Sequence, residues 1–262
     1  KAAGTPLLPT GRYGCTALKK ILDFAVRTFE PMEPAVPEKK HGSSHSLSEF
    51  ESLNYLSDHG VPIPPQAIAA TADAAAEEAG KLGYPVSVKI HSRDIRHKSD
   101  VGGVKLNIRD EAELRAAFAA VMDNCAKNAP DAKLEGVLIK PMLKYGTEMI
   151  IGVNNDRDFG PMIMVGMGGV FVELFKDVAL APAPLTGKQA MDMIESLASY
   201  PLLGGYRGGA VCDKEALADL LVKISEMAAE GKDKVKELDI NPVFITEDGA
   251  AIADALLVLY DD

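Results

Sequence analysis

No apolar run in this sequence approaches the ~20 residues that a membrane span needs, which excludes a spanning helix. Positive charge is in deficit. The formal net charge of −10 at pH 7 argues against a nucleic-acid partner, because such binding is carried by clustered Lys and Arg. Cysteine is sparse: Cys15, Cys125 and Cys212 lie far apart with no CxxC spacing. That excludes a cysteine zinc site and points to reduced thiols in a cytoplasmic protein. An internal repeat is missing, as is a signal-peptide pattern. The chain begins at Lys1 without a methionine, which reads as a fragment or processed chain. What is present is the balance of an ordinary soluble globular protein. The 262 residues are 47% hydrophobic and 25% charged, enough for one large domain or two small ones.

The first 46 residues differ from the rest. One amphipathic helix is expected there, with Leu18, Ile21, Leu22, Ala25 and Val26 on one face. The stretch "PMEPAVPEKKHGSSHS" then reads as a linker, with His41 and His45 as solvated linker histidines. From Leu47 the pattern becomes regular. "SLSEFESLNYLSDHG" predicts a helix opening at a Ser with Glu three residues on, the spacing of a capping box. A short strand in "IPPQAIAAT", a helix in "ADAAAEEAGKLG" stopped by Gly83 and a buried strand in "YPVSVKI" follow. After "GGVKLNI" and a long helix come four strand-like runs: "GVLIKPML", "EMIIGVNN", "PMIMVGM" and "VFVELFKDVALAPAP". Two helices, near Gly187–Tyr200 and Asp213–Gly231, precede an antiparallel strand pair around the turn "EDG". Strands cluster in runs rather than alternating with helices, which favours α+β lobes over a βαβ winding.

Four constellations carry candidate chemistry. The first is "KIHSRDIRHKSDVGGVKLNI", Lys89 to Ile108. It is too long, charged and glycine-rich for a plain hairpin turn. Its glycine-rich backbone suits a phosphate cradle, with Lys89 projecting from a strand end, Arg96, His97 and Lys98 on the mobile part, and Gly102 and Gly103 as hinges. A solvated surface loop is the alternative. The second is Asp239 and Asn241 of "ELDINP", which share one side of a strand, with Asp254 expected on the next strand. Two carboxylates and an amide make a hard oxygen site suited to Mg²⁺; alternatively Asn-Pro merely bends the strand. The third pairs Glu148, a lone acid entering an apolar strand, with the glycines of "GMGG" (Gly166 to Gly169). They serve either a ribose or metal contact or a close backbone passage. The fourth is Arg207 between glycine pairs in "LLGGYRGG", a guanidinium suited to phosphate or carboxylate, or a surface turn. Met122, Met162, Met164 and Met167 read as core filling.

Taken in order, "SVKI…HKSDVGGV", "EMIIGVNNDRDFGP", "GMGGVFVEL", "GGYRGG" and "ELDINPV" closely resemble the ATP-grasp domain of ADP-forming (NDP-forming) acyl-CoA synthetases, relatives of succinyl-CoA synthetase. The resemblance runs from about Ser48 to Tyr260. It implies a two-lobed α+β (α/β) ATP-grasp fold with nucleotide between the lobes. Residues 1–30 would be the tail of a preceding CoA-ligase domain, 31–46 a linker, and 47–262 the ATP-grasp domain with its small lobe at about 61–140. The implied reaction converts acid, CoA and ATP to acyl-CoA, ADP and phosphate through an acyl phosphate and a phosphorylated histidine. His97 occupies the position of the family's shuttling histidine. The resemblance further implies that Lys89, Arg96, Lys98, Gly102, Gly103 and Glu148 meet the nucleotide, and that Ile139, Lys140 and Met142 of "VLIKPM" line the adenine. Lys140 stands where relatives often have Gln or Glu. Asn241 and Asp254 fall on the Mg²⁺ ligands with Asp239 in support, and Arg207 on a phosphate or phosphohistidine contact. His91 reads as a structural strand-end histidine. The implied partners are CoA-binding and ligase domains or a subunit holding them, a carboxylic acid, and further copies of the chain. Other readings are a non-catalytic regulatory domain of a protein acyltransferase, or another ATP-grasp carboxylate ligase.

Overall fold

The computed structural model describes residues 43–95, 97–169, 176–206 and 211–261, all within one compact unit. The helix expected near Leu18–Val26, Cys15, Arg96 and Arg207 lie outside the described residues.

Two antiparallel sheets carry the architecture. The smaller is built from β2 (Ala67–Ala69), β3 (Val86–Ile90), β4 (Val104–Ile108) and β5 (Val137–Pro141) in the order β2-β5-β3-β4. Two helices cover one of its faces: α2 (Ala72–Leu82) and α3 (Glu111–Asn128). Val86, Val88, Ile90, Val137 and Ile139 pack there with Leu114 and Val121 of α3. Because side chains alternate along a strand, the intervening Ser87, Lys89, Leu138 and Lys140 point to the opposite face. That alternation aims two lysines away from the small core.

The larger sheet runs β1 (Ser44–Ser46), β11 (Ala255–Tyr260), β9 (Val235–Thr246), β6 (Thr147–Asp156), β7 (Gly160–Met167) and β8 (Val178–Pro182), with β10 (Gly249–Ile252) also on β9. Three helices accompany it in sequence: α4 (Gly187–Ser196), the single turn α5 (Tyr200–Leu203) and α6 (Lys214–Glu230). Leu217, Leu221 and Ile224 of α6 share one core with Ile151, Ile163, Val165 and Leu238 of the sheet. The helix between the two sheets, α1 (Glu49–Asp58), opens with a capping box on Ser48 and Glu51, and it buries Leu53 and Leu56 in that core.

Some expectations are corrected. Ser44–Ser46 is not linker: it pairs with β11 as an edge strand, and His45 Nδ1 lies 2.7 Å from Asp261 Oδ1. Of the run Val170–Pro184, only Val178–Pro182 is described as strand. Met162 and Met164 are half-buried rather than core, whereas Met167 is buried.

Gly102 and Gly103, expected as hinges, are both hydrogen-bonded within the loop. Gly103 N–H donates to Lys98 O at 2.8 Å and Gly102 N–H to Ser99 O at 3.1 Å, so neither amide is offered to a phosphate in this conformation. A Cβ at Gly103 would sit 2.6 Å from Ile90 Cγ2, 2.9 Å from Lys98 O and 3.0 Å from Cys125 Sγ. The pair anchors the foot of the loop where it presses on β3 and α3. Gly103→Ala is therefore expected to lower unfolding free energy by about 1–3 kcal/mol, the usual cost of overpacking, measured by denaturant titration.

Candidate functional site

The site grows from the first turn of α1. Ser52 Oγ donates to Ser48 O at 2.8 Å and receives Leu257 N–H at 3.0 Å, while Leu47 N–H donates to Leu257 O at 2.8 Å. These bonds fasten the start of α1 to β11. Glu49, the first residue of the helix, has a side chain only 2% exposed. Burying a carboxylate is costly unless it is paired, and here three ammonium groups converge on it. Lys89 Nζ donates to Glu49 Oε1 at 2.7 Å and Lys140 Nζ to the same oxygen at 3.0 Å; Lys98 Nζ lies 3.2 Å from Oε2.

Asp254 extends the network, accepting from Lys89 Nζ at 2.8 Å through Oδ2. It does not lie on a strand, as the alternation argument expected. It occupies the break between β10 and β11, where Asn241 N–H donates to Asp254 O at 3.2 Å and Ala253 N–H to Pro242 O at 3.0 Å. The break also turns Ala253 O toward Lys140, whose Nζ donates to it at 2.6 Å.

The charges respond to this crowding. Burial would raise the Glu49 carboxyl, but Lys89, Lys140 and Lys98 outweigh it and hold the group at about 2. Burial would lower Lys89, yet Glu49 and Asp254 drive it upward. Lys140 goes the other way: burial, aided by the neighbouring Lys89, pulls it below an ordinary lysine despite Glu49. Asp254 is raised by burial and by Glu49, even against Lys89 and Lys98. Asp239 is raised by burial, by Glu237 and by Asp254. Asp239 is thus pressed by neighbouring acids, Asp254 shares Lys89 with Glu49, and Glu49 gathers most of the positive charge.

A cavity of about 300 Å³ opens beside this network. His97 and Lys98 of the loop between β3 and β4 line it, as do Glu49, Asp239, Asn241 and Asp254. His97 is exposed at its wall. Residues from four sequence regions, separated by up to about two hundred positions, meet here. Among the described residues no group of three or more His, Cys, Asp or Glu is arranged as a metal cluster. The oxygen set of Asp239, Asn241 and Asp254 nevertheless fits a hard divalent cation. Burial and a neighbouring acid raise both carboxylates, Glu237 and Asp254 acting on Asp239 and Glu49 on Asp254, and such an ion offsets that repulsion.

The other predicted residues among those described do not line this cavity. Ile139 is fully buried under α2 and α3, with its backbone between β2 and β3. Lys140 is 3% exposed and held by Glu49 and Ala253, not directed at a base. Met142 N–H donates to Pro85 O at 2.9 Å, and its sulfur accepts from Asn107 N–H at 3.4 Å. Glu148 is the second residue of β6, and Gly168 N–H donates to its carbonyl at 2.7 Å. A Cβ at Gly168 would lie 3.0 Å from Glu148 backbone and Cβ atoms. The close-passage reading of "GMGG" therefore has a concrete partner. His91 is half-buried, edge-on to Phe50 at 6.2 Å, with Nε2 3.9 Å from Glu135, and burial lowers its basicity.

Sequence reasoning missed Glu49 and the Glu51–Arg93 ion pair. A signal for Glu49 existed: Ser52, Leu53 and Leu56 stand three, four and seven residues on, so helical spacing puts the acid on the buried stripe.

Residues 38–259 match the family described as ATP-grasp domain. The chain belongs to the ATP-grasp family. Its ATP-grasp sequence is 44% identical over 222 residues to the β subunit of an ADP-forming acetate–CoA ligase of Pyrococcus furiosus, covering 85% of this chain and 95% of that subunit. It is 40% identical over 256 residues to an ADP-forming acetate–CoA ligase of Archaeoglobus fulgidus, covering 96% of this chain but 37% of that longer protein. Among solved structures, the ATP-grasp fold superposes with a TM-score of 0.80 on a dinucleotide-forming acetyl-coenzyme A synthetase of Ca. Korarchaeum cryptofilum. That structure is complexed with coenzyme A and Ca-AMPCP; identity is 40%, with 82% of this chain and 93% of that one covered. Another structure of the same protein, at a TM-score of 0.73 and 37% identity, holds coenzyme A and Mg-AMPPCP with its phosphohistidine segment pointing towards the nucleotide-binding site; it covers 82% of this chain and 92% of that one. This ATP-grasp chain has no helix, among its described residues, long and apolar enough to cross a membrane.

Proposed function

We propose that the chain is the nucleotide-binding and phosphoryl-transfer part of an ADP-forming acid–CoA ligase, which converts acid, CoA and ATP to acyl-CoA, ADP and phosphate through a phosphohistidine. The observation that carries this reading is the shared cavity, with His97 and Lys98 on one wall and Asp239, Asn241 and Asp254 on another. Relatives of matching length are β subunits of such ligases.

Phosphoryl transfer asks a protein mainly for positioning and for charge to offset the phosphate oxygens. Lys89 and Lys98 supply ammonium groups beside the cavity. Lys89 is satisfied by Glu49 and Asp254; phosphate oxygens give it a further partner. A neutral imidazole nitrogen of His97 attacks the γ-phosphorus. The N–P bond forms as the bond to the β-phosphate oxygen breaks, and ADP leaves with that electron pair. The phosphoryl group then passes to the part of the enzyme that binds CoA and the acid. Asp239, Asn241 and Asp254 would hold Mg²⁺, which when bound neutralises charge on the transferring phosphate. Arg96 and Arg207 are further proposed phosphate contacts, and Glu148 a nucleotide or metal contact.

The test is direct. Incubation with Mg²⁺ and γ-labelled ATP is expected to leave acid-labile phosphate on His97, located by mass spectrometry. Asn241→Ala is expected to weaken Mg²⁺-dependent ATP binding by at least about tenfold in calorimetric titration, as loss of a metal contact does. Label on another residue, or Mg²⁺-independent binding, would sink the proposal.

A further inference from the structure

We infer that Glu49 is a positioning residue for this phosphoryl transfer, holding the His97-bearing loop and the strand-end Lys89 in one fixed relation to the cavity. The inference deepens the functional reading above and rests on it for the word transfer. Its geometric content stands separately.

Three observations carry it. Glu49 is a carboxylate with a side chain 2% exposed, on a helix whose start is bonded to β11. Its two oxygens serve different elements: Oε1 takes Lys89 of β3 and Lys140 of β5, while Oε2 faces Lys98, the residue next to His97. Glu49 Oε2 receives no hydrogen bond of good geometry, so the Lys98 ammonium is what answers its charge. Two residues further along the same helix start, Glu51 pairs with Arg93 at the beginning of the same loop. Two acids on one helical turn therefore grip the loop on both sides of its histidine.

The bare alternative is that Glu49 merely neutralises buried lysines. Its position argues for more. Lys140 alone would be a sufficient partner for a buried acid, and Lys98 would otherwise be a solvated loop lysine. Instead the acid joins a rigid strand end, a loop and the large sheet at a single point. A displacement of about 1 Å at such a point is enough to lower a positioned transfer by about a hundredfold.

The experiment uses the full chain and compares wild type with Glu49→Gln and Lys98→Met. Glu49→Gln strands three ammonium groups around a neutral amide and can lose stability. Lys98→Met keeps the Lys89 and Lys140 pairs and removes the Lys98 anchor of the loop together with one ammonium at the cavity, so it is read by loop exchange alone. Hydrogen exchange should speed up by about tenfold or more at Asp100, Gly102 and Gly103 in both variants, because those amides close the loop's internal bonds. In Glu49→Gln, the rate of label transfer to His97 should fall at least about tenfold while the dissociation constant for ATP moves by less than about threefold. A purely structural acid would shift melting temperature and ATP affinity together and leave that split absent. Unchanged loop exchange in both variants, or parallel loss of affinity and transfer, overturns the inference. Failure of the wild type itself to bind ATP or take label would overturn the functional reading instead, and the exchange arm would still decide whether Glu49 holds the loop.

Discussion

His97→Ala is expected to abolish acid-labile label and to lower turnover of the assembled ligase by at least about three orders of magnitude, since a removed nucleophile has no substitute nearby. His91, the nearest other histidine in sequence, stands edge-on to Phe50 beside Glu135 and is absent from the cavity wall. Stability should hardly move. His97 is exposed, and the backbone bond its carbonyl receives from Asp100 N–H at 3.2 Å survives truncation to alanine. The melting curve should shift by no more than the ~0.5 kcal/mol typical of surface changes. ATP affinity should stay within about threefold, because a contact worth that little changes a dissociation constant no further. Persistence of label in His97→Ala would assign the carrier to another residue.

Lys89→Met should do the reverse, losing both stability and function. Its side chain is 12% exposed and joins two acids, so removal leaves Asp254 without its ammonium and returns one oxygen of Glu49 to Lys140 alone. Breaking a buried pair from one side costs roughly 3–5 kcal/mol. For a chain of this size that is a fall in melting temperature on the order of 10 °C. Phosphoryl transfer should drop by about a hundredfold or more, the scale for removing one preorganised charge from a transition state. Circular dichroism melts and single-turnover transfer from labelled ATP read the two effects. A variant with wild-type transfer would remove Lys89 from the machinery.

Much of the fold was legible because its signals are local. "VSVKI" reads as a strand from its β-branched run. The Ser48–Glu51 spacing opens α1, and Gly83, at φ 86°, closes α2. The antiparallel return around "EDG" is β9 against β10. The candidate site was legible only as separate motifs. Asp239 and Asn241 share a strand face by simple alternation, and His97 and Lys98 are adjacent in the chain.

What the sequence determined alone is therefore most of the elements, the α+β class and the family, since capping, alternation, turn chemistry and motif order all act over short stretches; the edge strand Ser44–Ser46 came only with its partner β11. Tertiary structure alone decided who partners whom. Lys89 meets Glu49 across 40 positions and Asp254 across 165. Ile139 turns into the core while its neighbour Lys140 turns out to the same acid. Gly102 and Gly103 bond back to Ser99 and Lys98 at the loop's foot. Each outcome depends on burial, because only inside a crowded, poorly solvated seam must every charge find a counter-charge, and nothing local in the chain says which one it will find.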